Sequence, residues 1–231
     1  MASSLALAGV AVLAVGGYFD SRPFALHWPD RRAPHYPLAA VYWTGDMGMR
    51  VGTASAIVEG LRSEGIPVLS VSSPVLFGHA RDRAYVDAEV AHSLEAALER
   101  SGADRVAVVA SSFGADVVGS GLGHVARDLR QRIASVVLVV PGTEVYFRAN
   151  PSGLFYSGPT AADPAHTIPL LRGLPVTCIF GTQEDDSLCR HAVMDGANRV
   201  GIDDGHLMLF SRPALAAAVD AAVLHPPRPM R

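Results

Sequence analysis

The stretch Val106-Ala-Val-Val-Ala-Ser-Ser-Phe-Gly-Ala-Asp116 constrains this chain most, because a β-branched run carries Ser112 into a tight turn between small residues. Ala110 and Gly114 stand two positions either side of the serine, where a strand and a helix crowd and larger side chains have no room. A strand that turns abruptly into a helix holds a serine hydroxyl out over the edge of a sheet. The pentapeptide alone is common, so its weight comes from the strand signal before it and the helix signal after it. The plainer alternative is a serine that caps the next helix.

Periodicity around this turn predicts alternating strands and helices. Leu38 to Trp43 reads as a short apolar strand, and Ala54, Ile57, Val58 and Leu61 repeat at helical spacing until Gly65 stops them. Ile66 to Val71 is a second strand, and Val86, Val90, Leu94 and Leu98 mark a second helix. Arg105 to Ala110 is the strand that delivers Ser112, and a helix from Phe113 breaks near Gly119 to Gly123. Strands over Ala134 to Val140, Val176 to Phe180 and Arg199 to Ile202 follow, with helices from about Ser187 and over Pro213 to Leu224. Apolar strands separated by helices imply an α/β fold, a mostly parallel sheet covered on both faces. The interval from Pro141 to Leu174 breaks the rhythm and carries Tyr146, Phe147, Phe155 and Tyr156 among Gly and Pro. It reads either as a short lid-like insertion above the serine or as a loop tacked to the surface by its aromatics.

A length of 231 residues suits one domain, and a net charge of -3 offers no basic face for nucleic acid. All 19 basic residues are arginine. Without lysine there is no Schiff-base lysine, Walker-A loop or Ser-Lys dyad. Leu5 to Val15 is an apolar run of signal-peptide length, shorter than the ~20 residues of a spanning helix. On that length residues 1–19 are read as a signal peptide; no basic residue precedes the run and Arg22, Arg31 and Arg32 follow it, the reverse of the usual charge bias, so an uncleaved anchor and a buried N-terminal element are the alternatives. Residues 20–37 read as a linker or an irregular strand pair, and 38–231 as the domain. Cys178 and Cys189, the only cysteines, are eleven residues apart around the loop after a predicted strand. They form a disulfide suited to an oxidising compartment, or stay as buried thiols. Two cysteines are too few for a zinc site, and neither a metal nor a cofactor is expected.

A serine hydroxyl needs a base to take its proton and a carboxylate to orient the base. Phe180-Gly-Thr-Gln-Glu-Asp-Asp186 supplies acids directly after a late strand. Glu184, three residues past Gly181, and Asp186 are the two candidates, with Asp185 third. His206 lies just past the last predicted strand, the only one of nine histidines so placed, while His79 and His166 are candidates only for lining a pocket. An oxyanion hole needs backbone N–H groups from the residue after the serine, Phe113, and from the loop after an early strand, Asp46 with Met47 next. Asp116, in the first turn of the helix after Ser112, is assigned no catalytic role. Serine, acid, histidine is the chain order of α/β-hydrolases, and that fold is the expectation.

Tyr42-Trp-Thr-Gly-Asp-Met-Gly48, Ser111-Ser-Phe-Gly-Ala-Asp116, the segment from Cys178 to Cys189 and Asp204-Gly-His206 together resemble the VirJ/AcvB family of bacterial virulence-associated proteins, over roughly residues 38 to 224. Met47 and Met49 stand where the family tends to have Gly and Trp. The resemblance implies an exported serine esterase that cleaves the aminoacyl ester of an aminoacylated phosphatidylglycerol, a lipid-like substrate reached at a membrane surface. The alternatives are a non-catalytic periplasmic accessory of a type IV secretion system and a cytoplasmic esterase for small soluble esters.

Overall fold

The computed structural model describes residues 2–151 and 156–231, and of residues 2–8 the backbone alone; Phe155 lies outside the described residues. The apolar runs pair into one seven-stranded sheet: β1 (Phe24–His27), β2 (Leu38–Trp43), β3 (Val68–Val71), β4 (Arg105–Ser111), β5 (Ile133–Val139), β6 (Val176–Gly181) and β7 (Asn198–Ile202). Their order is β1-β3-β2-β4-β5-β6-β7, with β1 antiparallel to β3 and every other pair parallel. Within residues 20–37 a strand therefore forms, but its partner is β3 rather than a neighbour in the same segment.

The helices are α1 (Ala2–Val15), α2 (Ala54–Ser63), α3 (Ser73–Phe77), α4 (Arg83–Ser101), α5 (Phe113–Gly121), α6 (Arg127–Gln131), α7 (Pro164–Thr167) and α8 (Arg212–Leu224). Side chains alternate across a strand, so each central strand feeds two cores. Val41, Trp43, Val106, Val108 and Ala110 pack with α4 and α5, whereas Ala40, Tyr42, Ala107 and Val109 pack with α2 and α8. Both faces are therefore covered, which is why these strands read as unbroken apolar runs. α4 starts on Asp82, whose carboxylate accepts from Tyr85 N–H at 2.9 Å, and stops at Gly102 in a left-handed conformation (φ 71°). The helix expected from Ser187 is absent. Two 3-10 turns, Leu188–Arg190 and Ala192–Met194, replace it, because Cys189 is bonded to Cys178 and both turns must drop Leu188, Cys189 and Met194 into the core.

Fourteen residues of α1 span about 21 Å, short of a bilayer core. Among the described residues no helix is long and apolar enough to cross a membrane. Its last turn is pinned to the domain, where the Arg50 guanidinium donates to the Ala14 carbonyl. Val10, Val12 and Val15 are exposed.

One carboxyl works against the packing of α2 on α8. Asp220 faces Gly60, where a Cβ would come within 2.8 Å of its Oδ2, and its Oδ1 is buried without a hydrogen-bond partner. Burial, then the charge of Glu64, lifts this carboxyl from its ordinary 3.8 to about 6. The folded state therefore binds the proton more tightly than the unfolded chain, so stability falls as pH rises between those values and stays lower above them. Asp220→Asn removes the charge, and we expect it to stabilise the fold at pH 7 by about 1 kcal/mol, discounted for solvent screening because the side chain is only partly buried. Thermal melts at pH 4 and pH 7 check this: the gain appears at pH 7 and vanishes at pH 4.

Candidate active site

Register brings the functional loops together. Trp43 lies beside Ala110 and Ser111 beside Val139, so the chain leaves β2, β4 and β5 at one carboxyl edge, the usual binding edge of a parallel sheet. Ser112 turns out of β4 at φ 50°, ψ -124°. A side chain adopts that backbone at a cost of roughly 1–3 kcal/mol, which the surroundings must offset. They do so from both sides: Ser112 N–H donates to the Val139 carbonyl at 2.8 Å, and its own carbonyl accepts from Ala115 and Asp116 at 2.7 and 3.1 Å. A Cβ at Gly114 would sit 2.5 Å from the Thr44 carbonyl and 2.7 Å from that of Trp43, so the entry of α5 requires glycine. Among the described residues the other non-glycine positions with positive φ are Val140 and Met208. Val140 borders the same cavity as Ser112, and Met208 stands two residues past His206.

His206 Nε2 lies 3.0 Å from Ser112 Oγ, and its Nδ1 lies 2.8 Å from Glu184 Oε1. A carboxylate only accepts, so Nδ1 carries the proton and Nε2 is left to accept from the hydroxyl. The Glu184 side chain is 4% exposed. Its Oε2 accepts from Gly181 N–H at 2.8 Å while Glu184 N–H returns to the Gly181 carbonyl at 3.1 Å, a tight turn that folds the carboxylate back over the end of β6. Of the two acids singled out by spacing, Glu184 therefore meets the histidine and Asp186 does not. Asp186 lies past that turn, accepting from Thr143 Oγ1 at 2.7 Å and bonding His191 Nε2 at 3.0 Å, contacts that hold its carboxyl below the usual range. Asp185 is exposed. His79 and His166 are exposed and border neither lobe of the cleft around Ser112.

That cleft has two lobes that meet at Ser112 and His206. The smaller, about 110 Å³, is lined by Tyr42, Asp46, Met47, Val51, Val140 and Leu207 and is mostly apolar. The larger, about 500 Å³, is lined by Phe113, Asp116, Thr143, Glu144, Tyr146, Tyr156 and Asp186, and among the described residues no arginine borders it. Burial raises the Asp116 carboxyl well above the usual range; the Gly142 N–H pulls it back and the charge of Asp46 pushes it further up. The insertion after β5 does both things open to it in the sequence. Phe147 is buried in the core, while Tyr146 and Tyr156 stack at 4.8 Å and form a wall of the larger lobe.

The oxyanion candidates flank the serine. Phe113 follows it in the chain, and Asp46 and Met47 border the small lobe. Two side chains escaped sequence reasoning. Asp204 is 6% exposed and accepts from the N–H groups of Gly205, Phe210 and Ser211 at 2.7 to 2.9 Å, fixing the loop that presents His206. An acidic residue before Gly that can bond its own loop was the available signal. Asp46 was expected to act through its amide alone, yet its carboxylate is buried and bonded to the insertion.

Several solved structures share this fold at low identity. Est1E from Butyrivibrio proteoclasticus superposes with a TM-score of 0.67 at 14% identity, covering 87% of this chain and 92% of that one. An alpha-beta serine hydrolase homologue from Coxiella burnetii gives 0.61 at 12%, covering 87% and 90%. The esterase domain of a Rhodothermus marinus protein gives 0.59 at 12%, covering 86% and 89%. These likenesses establish the α/β-hydrolase fold. No curated protein matches the chain. Residues 38–224 match the family described as bacterial virulence protein (VirJ), and the chain belongs to that family.

Proposed function

We propose that the protein is a serine hydrolase that cleaves a carboxylic ester through Ser112, His206 and Glu184. The observation that carries this reading is the unbroken relay from the Ser112 hydroxyl through both nitrogens of His206 to a buried carboxylate. His206 Nε2 takes the hydroxyl proton as Oγ attacks the ester carbonyl, then delivers it to the departing alcohol, leaving an acyl-serine. Water, deprotonated by the same nitrogen, releases the acid. Glu184 holds the imidazole in register and stabilises its charged form. The N–H of Phe113 and that of Asp46 or Met47 would receive the negative charge of the tetrahedral intermediate.

For the substrate we propose the aminoacyl ester of an aminoacylated phosphatidylglycerol. Family membership supports it, and so does the larger lobe, where Asp116, Glu144 and Asp186 beside two stacked tyrosines suit an ammonium group. A cation entering there would draw Asp116 into its charged form. Access from a lipid surface is supported by Leu207, Leu209 and Phe210, exposed just after His206, and by α1, tethered through Arg50, the residue before Val51 of the small lobe. We place the protein outside the cytoplasm, in the periplasm or anchored facing it, on the strength of its disulfide and its family.

The test is covalent labelling with a fluorophosphonate alongside hydrolysis of lysyl-phosphatidylglycerol and of short p-nitrophenyl esters. The wild type is labelled and Ser112→Ala is not. An unlabelled wild type that cleaves neither ester, while still capturing secretion components, would favour the non-catalytic accessory.

A further inference from the structure

Asp46 presents a problem that its amide role does not solve. Its carboxylate is 4% exposed, in the loop after β2, and among the described residues it forms no ion pair with an arginine. Burial raises its carboxyl, and what opposes that rise comes first from the Tyr156 hydroxyl and then from the Asn150 N–H. Both donors belong to the insertion after β5, more than a hundred residues away in the chain. Asn150 N–H reaches Asp46 Oδ1 at 2.7 Å, and Tyr156 OH donates to the same oxygen. A buried charge is tolerated only when such partners are held in place, so the bonds fix the loop as firmly as they satisfy the acid.

The ring of Tyr156 makes a second connection. It lies 6.5 Å from the Phe113 ring at an interplanar angle of 6°. Phe113 is 1% exposed, with Phe77 edge-on at 5.4 Å. One side chain of the insertion thus touches both segments from which the oxyanion hole would be built: its hydroxyl holds the Asp46–Met47 loop and its ring backs the residue whose N–H follows the serine.

We propose that Tyr156, through the Asp46 carboxylate, is a positioning residue that sets the spacing of the oxyanion hole. This rests on the hydrolase reading above. Donors stabilise a developing charge only when they already stand at hydrogen-bond distance from where it will form, so a shift of the Asp46–Met47 loop acts on the transition state and hardly on the bound ester.

The experiment is steady-state hydrolysis of a short p-nitrophenyl ester by wild type, Tyr156→Phe, Asp46→Ala, Asp46→Asn and the double variant Tyr156→Phe with Asp46→Ala. Tyr156→Phe keeps the stacked ring and removes only the hydroxyl. Its kcat should fall about 10- to 100-fold, part of the loss that follows removal of a whole oxyanion donor, while KM moves less than about threefold. Asp46→Asn keeps an acceptor for the tyrosine and should lose less than Asp46→Ala. The double variant should be little worse than the worse single one, because both remove the same link. Affinity for a boronic acid that mimics the tetrahedral state should drop in parallel with kcat, a readout that general loosening of the fold would not single out. A Tyr156→Phe enzyme with wild-type kcat, or one that changes only in KM, overturns the proposal while the hydrolase reading stands. A wild type that neither labels nor turns over ester removes both.

Discussion

On the proposed hydrolase mechanism, Glu184→Gln should lower kcat about 10⁴-fold on every ester tested, while Asp186→Asn leaves the relay intact and instead raises KM for cationic substrates a few-fold. The difference follows from one proton. Glu184 Oε1 is the acceptor for His206 Nδ1–H, and that bond decides that Nε2 is bare and able to receive the Ser112 proton. A glutamine can turn its NH₂ group toward the ring and its carbonyl toward Gly181 N–H, which the buried turn favours because that N–H needs an acceptor. The imidazole then accepts at Nδ1 and carries its proton on Nε2, the wrong nitrogen for a base. Stabilisation of the imidazolium goes at the same time, and a 10⁴-fold loss corresponds to about 5 kcal/mol of barrier. Asp186 makes no contact with His206, and its bonds to Thr143 and His191 lie at the outer wall of the larger lobe. Steady-state kinetics on lysyl-phosphatidylglycerol and on a neutral p-nitrophenyl ester, with melting temperatures recorded beside them, separates the two variants. Equal losses from both would assign the orienting carboxylate wrongly.

The serine was legible in the sequence because its elbow demands local things: β-branched residues before it and a glycine where the Thr44 carbonyl leaves no room for a side chain. The histidine was legible from chain order, since the loop after a last strand is short and contains a single imidazole. The choice of acid was not. Spacing from Gly181 favoured Glu184 and residue type favoured Asp186, and what decides between them is a turn closed by hydrogen bonds between Gly181 and Glu184, which the sequence alone did not weigh. The failed helix after Ser187 has a similar origin, because its residues favour a helix locally while the covalent link at Cys189 shapes the backbone. Long-range partners account for the other gap. The carboxylate of Asp46 gains its partners only when an insertion a hundred residues later folds back across the edge of the sheet. β1 likewise needs its partner β3, which follows only after β2 and α2, and four residues carry too little periodicity to reveal it.

Removing the disulfide should cost both stability and catalysis. Cys178, in the middle of β6, and Cys189, in the first 3-10 turn, are both fully buried, and the segment they close contains Glu184. Tying a loop of that size restricts the unfolded chain by about 3 kcal/mol on the loop-closure account, equivalent to roughly 6–12 °C in melting temperature for a domain of this length. We therefore expect the double replacement Cys178→Ala with Cys189→Ala to melt that much lower. The active-site effect is separate from the global one. Without the link, the return path from Glu184 to the core rests on Arg190, which donates to the Glu184 and Thr182 carbonyls at 2.9 and 2.7 Å, and on the packing of Leu188. Those contacts keep the turn formed but let it open locally, so kcat should drop several-fold at temperatures well below the melt, with the Ser112 label still accepted. Thiol titration of the unfolded wild-type chain, alkylated as the cells are lysed, adds the cellular half of the test. If protein recovered from its host without exposure to oxidant carries two free thiols, the extracytoplasmic placement fails; if the bond is intact and dithiothreitol reproduces the kinetics of the double variant, the bridge holds the acid loop in place in the working enzyme.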